Sequence, residues 1–385
     1  MNTPPSPHEP LLIGALAPLT RPGWTEAGRH LVAGLELAVD EVNDAGGIGG
    51  RPVELLVRDT AADPGRATAA VDELAGLGVA ALVGEYHSVV ARAAAARAEA
   101  VGVPFLCSSA VLDALTDGPA DRVARLAPPQ SRGWRVYADF LAGAGHRHVA
   151  VATQPSVYWA SGVRILRGRL AEHGGSVTEL DLRELTPVAV CDELAGLGAT
   201  ALLLLAGHPD PAVPVVRAVR GDARLTGMLL GAPAGQPEFT EWVSLLGADG
   251  AGIPFLRYLP ERPGPLAERV GKALRERLAE APSFVAFEGY DAVLVLAGAL
   301  RSPGVSWPDV TAEGTRGPVR FARTPGIGVW QSTGMPVQVA DRDPAEPGRF
   351  RVLHTEPREQ ENGAQENGAQ ENGTPATASS TGPGR

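Results

Sequence analysis

Short apolar runs alternate with longer amphipathic runs along most of the chain, and this alternation limits its fold more than any other feature. The runs LLIGALA (11–17), VELLVRD (53–59) and VAALVG (79–84) have the length of buried strands, and a helical pattern follows each. Strands that alternate with helices build a parallel sheet covered on both faces. The pattern resumes after Gly133, with ATALLLLAG as a clear strand. We therefore predict α/β architecture, with two lobes that are each a doubly wound parallel sheet.

An internal repeat supports the two lobes. DELAGLGVAALVG at 72–84 and DELAGLGATALLL at 192–204 are identical at nine of thirteen positions. Self-similarity at this distance favours duplicated domains. The alternative is convergence, because a helix that ends in a glycine cap and leads to a strand is a common unit, and two alanine-rich segments could form it independently. In the alignment of the two copies, Ser88 corresponds to His208. The repeat thus predicts that these residues face each other across a cleft between the lobes.

Charge and hydropathy exclude several partners. The chain of 385 residues has 34 basic and 44 acidic side chains and a formal charge of −10, so it has no basic field for nucleic acid. No run of about 18 apolar residues occurs, and we expect no membrane insertion. The opening MNTPPSPHEP lacks the features of a secretory signal, and no lipid-accepting cysteine follows it. The sequence as written predicts a cytoplasmic location, and an extracytoplasmic one if its natural start differs.

Standard metal, nucleotide and catalytic motifs are missing from the sequence. Two cysteines, Cys107 and Cys191, are too few for a disulfide framework or a cysteine-based metal cluster, and whether they pair is left open. The glycine cluster at 46–50 follows a helical pattern and precedes a strand, which is the reverse of a dinucleotide-binding motif. No zinc-protease or hydrolase motif is found. We predict no cofactor, no metal and no catalytic residue.

Ligands of open α/β sheets bind at the carboxyl ends of strands, so the turns there hold the candidate residues. Ser88 begins the helical segment SVVARAAAARAEA, where its hydroxyl and the first N–H groups could bind a carboxylate or amide oxygen. It could equally only cap its own helix. Ser108 and Ser109 repeat the arrangement at the next strand end. Flat walls for a small ligand are predicted from Trp24, Tyr86 and Tyr158.

The last 27 residues differ from the rest of the chain. The segment 359–385 contains a five-residue repeat of Glu, Asn, Gly, Ala and Gln and then a Ser-, Thr-, Gly- and Pro-rich end. It offers no large apolar side chain whose burial could offset the entropy of ordering. We predict a disordered low-complexity tail over 359–385.

Several stretches resemble a known family. NDAGGIGG at 43–50, GEYHS at 84–88 and FEGYDAVLVLAGAL at 287–300 are similar to the type I periplasmic-binding proteins of the leucine/isoleucine/valine-binding group, over about 11–355. The resemblance implies two lobes joined by a three-stranded hinge, with ligand held between them by closure. The crossovers would lie near 127–130, 255–259 and 324–328. The first lobe would then comprise 11–128 and 258–325, and the second 129–256 and 328–357.

The resemblance also implies roles for individual residues. A serine in the position of Ser88 holds the ligand carboxylate in this family, Ser109 and Ala110 complete that grip, and Tyr158 closes from the second lobe. Trp24 lies on the first loop. Family members that bind amino acids carry an acid after the strand equivalent to LLGAP to hold the ammonium group, whereas positions 232–235 here read Ala-Pro-Ala-Gly.

The missing acid puts a standard amino acid ligand in doubt. Glu85 or Asp210 could replace it.

These observations lead to one main functional prediction. We expect a non-catalytic substrate-binding component of an ABC-type branched-chain amino acid uptake system, which captures an amino acid or a related carboxylate or amide and presents its closed form to a permease. The alternative is a cytoplasmic amide sensor of the amidase-regulator type, because GEYHS matches its Gly-x-Tyr-x-Ser turn; its partner would be a regulator or kinase.

Two further functions are weaker. An α/β hydrolase would use Ser88 or Ser109 with His87 or His208, but it needs an adjacent base and an orienting third group. An interaction module with a degenerate cleft is the last possibility.

Overall fold

A computed structural model describes residues 9–302 and 304–356. The predicted tail over 359–385 lies outside the described residues. The strands, in chain order, are β1 (Leu11–Ala17), β2 (Val53–Asp59), β3 (Ala81–Gly84), β4 (Phe105–Cys107), β5 (Val123–Arg125), β6 (His148–Thr153), β7 (Ser176–Asp181), β8 (Ala201–Leu205), β9 (Leu229–Gly231), β10 (Phe255–Arg257), β11 (Thr311–Gly314), β12 (Gly317–Arg323), β13 (Trp330–Thr333), β14 (Gln338–Arg342) and β15 (Phe350–Thr355).

Some of the helices begin where the sequence supplies a cap or a proline. Asp63 accepts a hydrogen bond from the backbone N–H of Arg66, and Thr186 accepts one from Ala189. The α-helices, in chain order, are α1 (Thr25–Asp44), α2 (Pro64–Gly76), α3 (Ser88–Val101), α4 (Gln130–Gly143), α5 (Val157–Glu172), α6 (Pro187–Leu197), α7 (Ala212–Gly221), α8 (Thr240–Leu246), α9 (Pro265–Leu278) and α10 (Phe284–Ala299).

The larger sheet has eight strands in the order β11-β12-β13-β5-β4-β3-β1-β2. All pairings from β13 to β2 are parallel, and β11, β12 and β13 pair antiparallel with one another. Helices α2 and α3 cover one face, while α1 and α10 pack on the other. We call this sheet and its helices the first lobe. The predicted doubly wound sheet is confirmed here.

The second lobe is built on four parallel strands in the order β7-β6-β8-β9. A third sheet joins β10, β14 and β15 in antiparallel pairings. Of the three predicted crossover segments, 255–259 contributes a strand to this sheet. The two copies of the repeat lie in different lobes and form the same unit, since α2 leads to β3 and α6 leads to β8. None of the helices within 9–302 and 304–356 combines the length and apolar character needed to cross a bilayer.

One predicted crossover is wrong. The segment 324–328 is the turn between the antiparallel strands β12 and β13 of the first lobe. Its Pro325 and Gly326 suit a tight turn as well as a hinge, and Gly326 has a φ of 79°. Because β13 pairs with β5, residues 330–333 belong to the larger sheet rather than to the second lobe. The other lobe boundaries stay a prediction.

The remaining open question on covalent structure concerns the cysteines. Cys107 and Cys191 are both buried and both free thiols. Cys107 ends β4 in the first lobe, and Cys191 lies on α6 in the second. The structure therefore contains no bridge between them.

Candidate functional site

A cavity of about 310 Å³ lies between the two lobes, at the carboxyl ends of their parallel strands. Turns after β1, β2, β3 and β4 form its wall on the first lobe, and turns after β6, β8 and β9 form its wall on the second. This is the edge at which ligands of open α/β sheets bind. The lining residues are Pro22, Trp24, Ala62, Tyr86, His87, Ser88, Val89, Val90, Ser109, Val111, Ser156, Tyr158, Trp159, Ala206, Gly207, His208, Ala234, Gln236, Tyr258 and Phe284.

The amino end of α3 forms one wall of the cavity. Ala91 makes the first helical hydrogen bond, to the carbonyl of His87, so the N–H groups of Ser88, Val89 and Val90 precede the hydrogen-bonded part of the helix. No acceptor for these three N–H groups is found in the part of the chain that the structure describes. Free N–H groups and the helix dipole together favour an anion. The Ser88 hydroxyl accepts a hydrogen bond from the N–H of Leu112 at 3.3 Å and keeps its own proton to donate.

Glu85 organises the turn that precedes this helix. One carboxylate oxygen accepts the N–H groups of Tyr86 at 2.8 Å and His87 at 2.9 Å, and the other accepts the hydroxyl of Thr60 at 2.6 Å. Burial raises the pKa of Glu85 to about 7, against the opposing effect of these hydrogen bonds. Glu85 is fully buried and does not line the cavity. Its oxygens hold the turn in shape.

His87 ties two loops of the first lobe together. Its Nε2 accepts a hydrogen bond from the backbone N–H of Trp24 at 3.1 Å. Burial lowers the pKa of His87 to about 4, so the ring is neutral near pH 7 and can act as an acceptor. The contact fixes the start of α1 beside the start of α3.

Aromatic rings form most of the remaining wall and meet across the cleft. The indole of Trp24, on the first lobe, stacks on the imidazole of His208, on the second, with ring centres 4.9 Å apart and planes 18° apart. Tyr86 meets Trp24 edge-on at 5.8 Å. Tyr158 packs against Trp159 at 4.7 Å and edge-on against Trp134 at 5.9 Å. Such a cavity suits a flat or apolar ligand body.

Six of the eight residues singled out from the sequence line this cavity. They are Trp24, Tyr86, Ser88, Ser109, Tyr158 and His208. Ser88 and His208, which the repeat aligns, are thus on opposite walls of one cavity. The ligand-contact roles of all six stay predictions.

Ser108 and Ala110 lie behind the wall rather than in it. Both are buried, and their N–H groups donate to the carbonyls of Gly84 and Glu85. Of these consecutive residues, only Ser109 lines the cavity, and the Ser108 hydroxyl lies 3.2 Å from that of Ser109.

The sequence reasoning missed several lining residues. Gln236 follows β9 in a glycine- and proline-rich turn, and Phe284 begins α10, far along the chain from the other candidates. The strand-end rule could have found Gln236, since it follows the last strand of the second lobe. Nothing in the local pattern points to Phe284, which packing alone brings to the cavity.

A second set of polar contacts joins the lobes beside the cavity. Glu26, on α1, accepts the N–H groups of Thr240 at 2.6 Å and Glu241 at 3.0 Å, at the start of α8. Glu280 accepts the hydroxyl of Thr240 at 3.0 Å, and Arg21 pairs with Glu241. These contacts hold the first lobe against the second.

Glu26, His30 and Glu280 are close enough to one another to suggest a metal ion, but their atoms already have protein partners. The N–H of Ser283 donates to Nδ1 of His30 at 3.0 Å. The proton on the ring is therefore on Nε2, which lies 2.9 Å from Glu280. This chemistry fits a hydrogen-bonded contact between elements.

The hydrolase alternative requires a serine hydrogen-bonded to a base. Within residues 9–302 and 304–356, neither Ser88 nor Ser109 makes a hydrogen bond to a histidine. Both ring nitrogens of His208 are buried without a hydrogen-bond partner there. The described residues thus contain no hydrogen bond between either of these serines and the histidine that the hydrolase alternative names as its base.

Known proteins resemble this chain over most of its length. Residues 10–338 match a family model described as a periplasmic binding protein. A Leu/Ile/Val-binding protein homologue of Brucella melitensis is 25% identical over 300 residues, which are 76% of this chain and 79% of that protein.

Solved structures share the fold. A leucine-binding protein from Thermotoga maritima superposes with a TM-score of 0.76 at 20% identity, over 90% of this chain and 98% of that one. A solute-binding protein of an ABC transporter from R. palustris, in complex with benzoate, superposes with a TM-score of 0.74 at 19% identity, over 90% and 96%.

Proposed function

This chain belongs to the periplasmic binding protein family, whose model matches its residues 10–338, and we propose that it is the solute-binding component of an ABC-type uptake system. It captures a small polar ligand, an amino acid or a related carboxylate or amide, between its two lobes. The observation that carries the proposal is the cavity walled by strand ends of both lobes. A ligand that touches both walls favours the closed form, and the closed form offers a permease a different surface from the open one.

The names of its relatives support uptake. One relative is a Leu/Ile/Val-binding protein homologue, and the two solved structures are described as a leucine-binding protein and as a solute-binding protein of an ABC transporter. None of these three supports the amide-sensor alternative. They do not test the predicted cytoplasmic location, which stays a prediction.

The residues divide into two roles in this proposal. The N–H groups at the start of α3, with the hydroxyls of Ser88 and Ser109, bind a carboxylate or amide oxygen. Trp24, Tyr86, Tyr158 and His208 enclose the body of the ligand. Ser108 and Ala110 support the turn from behind through their backbone hydrogen bonds.

The function is binding without catalysis. A serine that acts as a nucleophile needs a base within hydrogen-bond reach and a third group that orients the base, and neither Ser88 nor Ser109 hydrogen-bonds to a histidine among the described residues. Purified protein should therefore leave p-nitrophenyl acetate unhydrolysed above the rate of a heat-denatured sample. Turnover that disappears in Ser88→Ala or Ser109→Ala would contradict this point.

A thermal-shift screen tests the proposal. The full chain is heated with leucine, isoleucine, valine, benzoate, acetamide and urea, each in large excess. A ligand present at a hundred times its Kd adds about 2.7 kcal/mol to the free energy of unfolding, which raises Tm by several degrees. A well-folded protein whose Tm no small carboxylate, amino acid or amide changes would contradict capture of such a ligand.

A substitution in the cavity locates the binding. Ser88→Ala removes one hydrogen bond to a charged group, worth about 1.5–3 kcal/mol, so the Kd for the best carboxylate of the screen should rise about 10- to 100-fold. Ser176→Ala is the matched control, because Ser176 is exposed on β7 and outside the cavity. Equal affinities in the two variants would place the ligand elsewhere.

A further inference from the structure

The walls of the cavity carry no charged side chain. None of the twenty lining residues is Asp, Glu, Lys or Arg. Burial lowers the pKa values of the two lining histidines, His87 and His208, to about 4, so both rings are neutral near pH 7. The two acids expected to replace the ammonium anchor are elsewhere, since Glu85 is buried in its own turn and Asp210 is exposed outside the lining. A side-chain charge that influences an enclosed ligand must therefore act from behind the walls.

One buried cation contacts the wall of the first lobe from behind. Arg125 ends β5 and is fully buried. Its Nη1 donates to the backbone carbonyl of Val111 at 3.0 Å, and its Nε donates to Oε1 of Gln331 at 2.7 Å. Val111 lines the cavity. The guanidinium is thus next to the site, although it does not line it.

Arg125 lacks an ion-pair partner among the described residues. Its hydrogen bonds go to neutral oxygens, and its Nη2 has no hydrogen-bond partner there. Asp113 is close enough for its charge to act on Arg125, but its carboxylate accepts the N–H of Ser131 at 3.0 Å. A guanidinium stays protonated near pH 7, and a buried charge without a counter-charge is costly. An anion in the cavity would supply part of that counter-charge.

A series of hydrogen bonds leads from this cation to the cavity. The carbonyl of Val111 and the N–H of Leu112 belong to one peptide group, and in a trans peptide they point in opposite directions. The carbonyl accepts from Arg125, while the N–H donates to the hydroxyl oxygen of Ser88 at 3.3 Å. The Ser88 hydroxyl lines the cavity and keeps its own proton to donate. All donors of the series therefore point from Arg125 toward the enclosed space.

From this arrangement we infer that Arg125 is a positioning residue that sets the charge preference of the site, acting through the peptide group of Val111 and Leu112 and the hydroxyl of Ser88. Hydrogen bonds in series polarise one another. The series holds the hydroxyl as a donor, and its positive end favours a ligand oxygen with negative charge over a neutral one. The inference rests on the proposed function, because it concerns the ligand of that same site.

Calorimetric titration of the full chain with matched pairs of compounds tests this role. Benzoate and benzamide share a ring and differ in whether the oxygen that would meet Ser88 is charged, and leucine and leucinamide form a second pair. The preference is the Kd of the amide divided by the Kd of the carboxylate. We expect a wild-type preference of at least about 10-fold, since hydrogen bonds to charged groups are the stronger ones.

Two variants separate the charge of Arg125 from its shape. Arg125→Met removes the charge and the hydrogen bonds, whereas Arg125→Lys has a similar length and keeps the charge. Arg125→Met should lower the preference about 10-fold, and Arg125→Lys should stay within about threefold of the wild type. Arg320→Met is the matched control, because Arg320 is exposed on β12 of the same sheet. The carbonyl of Val111 also accepts the N–H of Gln130 at 2.6 Å, so the wall keeps a donor in each variant.

A double-mutant cycle tests the path through Ser88. Ser88→Ala removes the last member of the series, so adding Arg125→Met to it should change the preference by less than about threefold. Arg125→Gln, a shorter and neutral side chain, repeats the test if Arg125→Met does not fold. The melting temperature of each variant verifies that it is folded.

The outcomes separate this inference from the proposed function. Equal losses of carboxylate and amide affinity in Arg125→Met would show that Arg125 only supports the wall, and would overturn the inference. A wild type that binds an amide as tightly as its carboxylate would also overturn it, and in both cases solute capture stands. A folded wild type that binds none of the four compounds, and none in the thermal-shift screen, would overturn the proposed function and the inference together.

Discussion

The contact between Glu26 and the start of α8 should control how far the lobes close. Glu26 lies on α1 of the first lobe, is 7% exposed, and accepts two backbone N–H groups of the second lobe at 2.6 and 3.0 Å. Opening of the cleft would break both bonds and return the carboxylate to water. We predict that Glu26→Gln favours the open form, because a neutral amide is a weaker acceptor than a carboxylate.

The expected effect of Glu26→Gln on the balance between closed and open forms follows from these two hydrogen bonds. Hydrogen bonds to charged groups contribute about 1.5–3 kcal/mol each, against about 0.5–1.5 kcal/mol for neutral ones. The difference is about 1 kcal/mol per bond and about 2 kcal/mol for the pair. Since each 1.4 kcal/mol is a factor of ten, the ratio of closed to open molecules should fall about 30-fold. The same factor is the upper limit on the loss of ligand affinity.

Small-angle scattering and calorimetry measure the two consequences. Without ligand, Glu26→Gln should have a larger radius of gyration than the wild type, and a saturating ligand should bring the two values together. Glu36→Gln is the matched control, because Glu36 is on the same helix but is exposed and pairs with Arg277 within the first lobe. If Glu26→Gln changed neither the scattering nor the Kd, or if Glu36→Gln changed both equally, the reasoning would be refuted.

Two further predictions concern stability. Gly34→Ala should destabilise the first lobe by at least about 1–3 kcal/mol in urea unfolding, because a Cβ there would lie 1.9 Å from the carbonyl oxygen of Ala286 on α10. The control is Gly168→Ala, on an exposed and open face of α5. It should instead stabilise the protein by about 0.5–1 kcal/mol. Burial raises the pKa of Glu85 from 4.5 to about 7, so the free energy of unfolding of the wild type falls as the pH rises through that window. Glu85→Gln has no such carboxyl group. Its free energy of unfolding should therefore increase by about 3 kcal/mol relative to the wild type between about pH 4.5 and 8. A Tm difference that did not depend on pH would contradict the second prediction.

The architecture could be predicted because it depends on local periodicity. Apolar runs of strand length and the helical patterns between them predict β1 to β4, β6 to β9 and α1 to α7 in order, while the three-residue strand β5 has no such run. The family that the sequence resembles is confirmed by the match over 10–338. The course of the chain after α10 was harder to predict from the sequence. There Pro325 and Gly326 suit a turn and a hinge alike, and only the pairing of β12 with β13 decides between them.

The site was partly predictable for the same reason. The rule that ligands bind at strand ends is geometric, so it pointed to turns whose residues do line one cavity, Ser88 and His208 among them. It could not decide which of two consecutive serines faces that cavity. Nor could it find Phe284, since α10 reaches the cavity through its packing on α1 and not through a strand.

The proposed replacement of the missing acid by Glu85 illustrates why nearness in sequence is a poor guide to charge. Glu85 directly precedes the turn at the cavity, yet the N–H groups of Tyr86 and His87 are also there, and a carboxylate satisfies such donors before it reaches a ligand. The N–H groups left free are those of the next three residues, at the start of α3. The turn thus leaves backbone N–H donors free at the cavity, while its one acid, Glu85, is buried. An amino acid needs both an anion site and a cation site, and the N–H groups at the start of α3 have the character of the first alone.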